Sequence, residues 1–272
     1  MQIISPKTDF CAKELFSHEI VLKHFICDVT GISLEDIRSV RLCNPYLWRR
    51  YRKQKQGILD VLAELNGTAK INIEIQVKFY SCWDKRNLFY FAKMYTDDLR
   101  VGENYAKLKK SISISILDFD YTDGASYHSV YYLRDENGRQ FTDLFEVHII
   151  ELRKNLNGQN PVDDWIRFFN SRTEEELNMI HTANAGINSA IVEVKKMSMS
   201  ERMRARYEAH MKEVRDRNAR EDYVKHQGIE QGRTQLIEKM LRNHKTPEEI
   251  ADFCDCDLLE IKTVQEKMFL KD

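Results

Sequence analysis

The dipeptide Asn66-Gly67 sits between two apolar or alternating segments, Gly57 to Leu65 and Lys70 to Phe79, and is the strongest short hairpin signal in the chain. Two antiparallel strands follow from it. In the second, Ile71, Ile73, Ile75 and Val77 fall on one face by period-two parity, and Lys70, Asn72, Glu74, Gln76 and Lys78 fall on the other. The first face reads as core. The second is wholly polar, which a solvated sheet face explains equally well on periodicity alone. The preceding strand tips the balance, because Asp60 stands among Ile58, Leu59, Val61 and Leu62, where an acid is costly unless something binds it. Loop length then decides whether the acids meet. With a two-residue loop Leu65 faces Thr68 and Asp60 faces Ile73, on the apolar side and out of reach of Glu74. An odd-numbered loop such as Asn66 to Thr68, or a bulge, brings Asp60 onto the face of Glu74, and we adopt that register.

Around this hairpin the chain alternates helix and strand signals. Apolar residues recur at helical spacing from about Asp9 to Asp28, broken at Ser17, whose hydroxyl is expected to cap a second helix running to Gly31. Asp84 is predicted to cap a helix reaching roughly Leu99, with a strand at Ser111 to Phe119 after it. Tyr127 to Leu133 and Phe141 to Leu152 read as another hairpin around Asn137-Gly138. Helices follow, started by Asn160-Pro161 and by the boxes Thr173-x-x-Glu176 and Ser198-x-x-Glu201. Met203, Tyr207, Met211 and Val214 form only a narrow stripe, which suits a connector or a dimer-forming helix. Caps at Thr246 and Asp257 predict two short helices, with Ile250, Ala251, Phe253, Leu258, Leu259, Ile261 and Val264 as a small core. The expected organisation is a main domain over 1–152, a helical extension over 153–196, a charged connector helix over 197–232 and a helix-turn-helix-like segment over 233–272.

Several function classes drop out. The formal net charge of -1 neither suggests nor excludes nucleic acid. Six cysteines without a C-x-x-C pair, and an N-terminus without a basic-then-apolar signal, lead us to expect reduced thiols in a soluble cytoplasmic protein. Charged residues interrupt every apolar run, so no membrane span is expected. The eight histidines lack metal-ligand spacing, and Gly102, Gly228 and Gly232 stand too far apart for a phosphate-binding loop. One charge patch does stand out. From Ile37 to Leu59 there are seven basic residues and no acid, and Arg49, Arg50, Arg52, Lys53 and Lys55 among them are candidate DNA contacts, interleaved with Tyr46, Trp48 and Tyr51.

Two carboxylates converging across a hairpin suit a hard cation, Mg²⁺ or a relative such as Mn²⁺ or Ca²⁺, that keeps waters and binds phosphate oxygens. Asp60 followed by Glu74-Ile75-Gln76 resembles the D...(D/E)-x-K core of PD-(D/E)XK nucleases. The opening Asp9-Phe10-x-x-Lys13-x-Leu15-Phe16, Arg86 and Tyr90, Ile112 to Phe119, and the final Met240-Leu241 with Thr246-x-Glu248-Glu249-Ile250-Ala251 are similar to the Rpn family of recombination-promoting nucleases and transposase-like proteins. That resemblance implies an α/β (α+β mixed) fold, a restriction-endonuclease-like core with a central mixed sheet flanked by helices. It also implies metal-dependent cleavage of DNA, of low sequence specificity, in a bacterial or mobile-element setting. By the same resemblance Asp60 and Glu74 are metal ligands, Gln76 takes the place of the superfamily's lysine, and Glu14 is a candidate further acid. Glutamine can orient a water but has no charge, so Lys78 and Arg86 are the candidates for assisting the phosphate. The competing reading is a catalytically silent DNA-binding or recombination accessory protein on the same fold, and the C-terminal helices are candidates for homo-oligomer contacts.

Overall fold

The computed structural model describes residues 1–47, 57–58, 60–158 and 160–269. The chain divides into two compact units, Met1–Arg204 and Ala205–Asp272. The first opens with helices α1 (Asp9–Ser17) and α2 (Glu19–Thr30), as expected, and Gly31 closes α2 in the left-handed region at φ 73°. The Ser17 hydroxyl does not cap α2. It donates back to the Glu14 carbonyl at 2.6 Å, since a serine already inside the last turn of α1 has that carbonyl within reach.

Strands β1 (Val40–Leu42), β2 (Tyr46–Leu47), β3 (Gly57–Ile58), β4 (Val61–Leu65) and β5 (Ala69–Gln76) come next. The turn between β4 and β5 sets the register: Asn66 and Gly67 hold φ of 53° and 71°, and the Thr68 N–H donates to the Leu65 carbonyl at 3.0 Å. Leu65 pairs with Ala69 and Val61 with Ile73, so the loop has the three residues Asn66 to Thr68. Continuing that register by one step puts Asp60, in the bend before β4, beside Glu74, and its carboxyl accepts from the Ile75 N–H and acts on Glu74. Asn66 also anchors the chain before β1, accepting from the N–H groups of Arg38 and Ser39 at 2.8 and 3.1 Å.

Helix α3 (Trp83–Thr96) crosses over to β6 (Lys110–Leu117), which runs parallel to β5. Then β7 (His128–Tyr132) forms the edge and β8 (Phe145–Glu151) slots between it and β6, giving one mixed sheet in the order β1-β4-β5-β6-β8-β7. The polar face of β5 is not solvated. Lys70, Asn72 and Glu74 are 7%, 2% and 2% exposed, because the crossover helix lies on that face: Tyr90, Phe91 and Met94 pack on Leu62, and Asn87 donates to Ser115 at 2.7 Å. Alternation therefore reported which residues share a face, but not whether water reaches it.

The isoleucine face, Ile71, Ile73, Ile112, Ile114 and Ile116, is buried too. The helices left to cover it are α1, α2, α4 (Val162–Asn170) and α6 (Ala185–Met199), the last following the short α5 (Glu174–Asn178). Phe25 joins them, its ring 5.0 Å from Phe16, 5.1 Å from Trp165 and 6.1 Å from Phe169. The capping box at Thr173 and Glu176 is present as predicted, whereas Ser198 is buried and bonded to the Val194 carbonyl. The start of α7 (Glu201–Arg242) instead uses Ser200, which accepts from the Met203 N–H at 3.4 Å.

In the second unit α8 (Pro247–Cys254) and α9 (Leu258–Phe269) pack on the end of α7 through Ile237, Ile250, Ile261 and Val264. Phe253, Leu258 and Leu259, expected in this core, are exposed, since so small a helical group has room inside for only one residue per turn. No helix among the described residues is long and apolar enough to cross a membrane.

Helices α2 and α6 approach closely at Gly186, where an added Cβ would lie 2.3 Å from the His24 Cβ. Gly186→Ala is expected to cost about 1–3 kcal/mol in denaturant unfolding. Gly228→Ala and Gly232→Ala, with nothing within 4 Å on α7, are expected to stabilise their helix by about 0.5–1 kcal/mol each.

Candidate functional site

Asp60 lies in the bend just before β4, and its Oδ2 accepts from the Ile75 N–H at 3.3 Å, which ties it to β5. Glu74 stands two residues from the end of β5, at the carboxyl edge of the parallel strands where open sheets place their ligands. Burial, and then the charge of Asp9 on α1, push the Asp60 carboxyl up, against the pull of Lys13, the Ile75 N–H and Arg86. Burial, and then the Asp60 charge, push Glu74 up to about 7, opposed by a hydrogen bond from Asn72 and by Arg86.

The neighbouring acids of the sheet behave differently. Glu64 has Arg41 at 2.9 Å and Lys109 at 2.5 Å, Glu146 has Lys110 at 2.6 Å, and Glu151 has Lys154 at 2.8 Å. The Lys109 hydrogen bond holds Glu64 below the usual carboxylate range, and for Glu146 and Glu151 the effect of burial is outweighed by their partners, His148 and Lys110 in one case and Lys154 and Thr122 in the other. Among the described residues no such ion pair forms with Asp60 or Glu74. Two buried acids close to one another and without an ion-pair partner among the described residues form a donor pair suited to a cation.

Four side chains from β5, α3 and the loop between them complete the cluster. The Tyr80 hydroxyl donates to Gln76 Oε1 at 3.0 Å and accepts from Arg86 Nη1. The Arg86 guanidinium lies over the rings of Tyr80 and Tyr90, 5.4 and 5.3 Å from their centroids, while its buried Nε has no partner among the described residues. Arg86 is thus a half-buried cation within electrostatic range of both acids without bonding either.

The structure brings together Asp60, Glu74, Gln76 and Arg86 of the predicted residues, and leaves Lys78 and Glu14 exposed. Lys78 is exposed in the bend after β5 ends at Gln76, so strand parity does not carry it to the site. Glu14 is exposed, and the α1 acid felt by Asp60 is Asp9, which pairs with Lys13 at 2.8 Å one turn on. Positions 9 and 13 share a helix face, from which position 14 is rotated away. The basic candidates Arg49, Arg50, Arg52, Lys53 and Lys55 lie outside the described residues. Tyr80 and Asn72 were missed, Asn72 because it read as surface, and Tyr80 because nothing in its spacing ties it to Gln76.

The donor set fits a hard divalent cation: all-oxygen, anionic, and incomplete. No group of three or more His, Cys, Asp or Glu side chains suited to a metal occurs among the described residues. Two carboxylates suffice for Mg²⁺, which commonly takes one or two and fills the remaining positions with water and phosphate.

The profile of a family described as PD-(D/E)XK nuclease family transposase matches residues 6–223. No curated protein and no solved structure matches the chain.

Because Glu74 is raised in the folded state, it binds its proton more tightly there than in the unfolded chain, where it titrates near 4.5. That contribution to stability is fully present below 4.5 and is lost as pH climbs through about 7. Glu74→Gln, which needs no proton, is expected to flatten the pH dependence of urea unfolding over this window. The metal-free variant should be the more stable at about pH 8, by on the order of 2 kcal/mol. A variant as pH-sensitive as the parent would place the raised acid elsewhere.

Proposed function

The chain belongs to the PD-(D/E)XK nuclease family transposases, and on that premise we propose that it is a metal-dependent DNA endonuclease of low sequence specificity, acting in recombination or on mobile elements. The observation that carries the reading is the facing pair Asp60 and Glu74, both raised by burial and lacking an ion-pair partner among the described residues. Asp60 and Glu74 would hold Mg²⁺ or a similar ion. When bound, such an ion polarises an attacking water and offsets charge on the phosphate.

The chain's own groups then have distinct tasks. Gln76 positions the water beside the two acids, and Arg86 supplies the fixed positive charge that an uncharged glutamine does not. Stacking on Tyr80 and Tyr90 holds that charge in place, so little reorganisation is needed when a phosphate arrives. Asp9 and Lys13 line the α1 side of Asp60 and bias its charge in opposite directions. The basic run that includes Arg49 to Lys55 leads directly into Asp60 along the sequence, which suits backbone contacts to the same nucleic acid.

Purified protein with supercoiled plasmid and Mg²⁺ is expected to nick or linearise it. Asp60→Ala and Glu74→Ala should each lower the rate at least about a hundredfold while leaving salt-sensitive DNA binding in place. Gln76 in the lysine position is the one feature that favours the silent DNA-binding alternative. Binding without cutting, in wild type and variants alike, would establish that alternative, and equal cutting by all three proteins would refute the assigned site.

A further inference from the structure

We propose that Tyr80 is a positioning residue that decides which end of the Gln76 amide faces the two acids; this rests on the nuclease reading above and specifies how its glutamine works. The hydrogen bonds run in one direction. A guanidinium only donates, so the Arg86 Nη1 bond to Tyr80 makes the phenol oxygen the acceptor. The single phenol proton is then free to go on to Gln76 Oε1, 3.0 Å away. With its carbonyl end engaged by Tyr80, Gln76 has its Nε2 end left for the site.

The electrostatics favour the same orientation. Tyr80 lies close enough to Glu74 and Asp60 for both charges to act on it. When ionised these carboxylates accept and do not donate, so an amide carbonyl turned towards them would be repelled and an amide N–H₂ attracted. Gln76 therefore offers donors where the superfamily's lysine offers donors, and positions the attacking water by donating to its oxygen. Tyr80 makes a neutral side chain serve in that place. Arg86 begins the chain, and its stacking on Tyr90 keeps it in place if the phenol oxygen is removed.

Tyr80→Phe removes the hydroxyl and keeps the ring. At saturating Mg²⁺ the single-turnover cleavage rate is expected to fall at least about tenfold, with metal-free DNA affinity changed less than about twofold. In a Gln76→Ala background, adding Tyr80→Phe should change the rate by less than about twofold, since a residue acting through Gln76 has nothing left to orient. A readout independent of catalysis is the Gln76 side-chain amide in heteronuclear NMR of the metal-free protein, assigned by its loss in Gln76→Ala. Its resonances should shift in Tyr80→Phe while the backbone spectrum reports an intact fold. Wild-type cleavage by Tyr80→Phe, the same fractional loss in both backgrounds, or an unmoved amide would each overturn the proposal. Should Gln76→Ala cut too slowly for the cycle, the Tyr80→Phe rate and the amide decide. If wild type itself does not cut, the nuclease reading fails, and the amide still reports whether Tyr80 orients Gln76.

Discussion

Two acids kept close together and away from water are the constraint around which the first unit is arranged. Neither Asp60 nor Glu74 has an ion-pair partner among the described residues, although the same sheet satisfies Glu64, Glu146 and Glu151 with lysines. Among the described residues the sheet pairs those three acids with cations and leaves these two, at the carboxyl edge of its parallel strands, without one. Burial, and then the proximity of Asp60, raise Glu74, so the electrostatics of the two acids are coupled.

Holding the acids in this way needs a sheet face that is buried yet polar. Ser113 and Ser115 on β6 align with Asn72 and Glu74 on β5, and Asn87 of α3 bonds to both serines. Small hydroxyls let the crossover helix approach closely while satisfying their own hydrogen bonds inside the protein. Tyr90, Phe91 and Met94 close the rest of the helix onto Leu62, and the same helix delivers Arg86. One element thus removes water from the acids and supplies a cation that acts on both, coupling the strength of the site's electrostatics to the packing of α3.

The hairpin register was legible because few residues accept the backbone that Asn66 and Gly67 adopt, and because an odd loop or a bulge is needed to bring an otherwise stranded Asp60 to Glu74. Helix starts were legible where a side chain bonds locally, as at Thr173 and Thr246. Ser198 shows the limit of that method: its spacing to Glu201 fits a capping box, but its hydroxyl lies in the core, where it accepts from the Ile4 N–H. Lys78 shows a related limit, since parity holds only as long as the strand does, and β5 ends two residues earlier.

By itself the sequence determined the two acids, the turn that aligns them, the alternation that puts Glu74 and Gln76 on one face and the family to which these residues belong. All of these are properties of a few neighbouring residues, set by backbone sterics and period-two geometry. Tertiary structure alone decided that the polar face is buried, that Asp9 and not Glu14 is the acid near Asp60, and that Tyr80 links Arg86 to Gln76. Those facts depend on which helix lies over which face and at what rotation, and that is settled by packing among residues far apart in the chain.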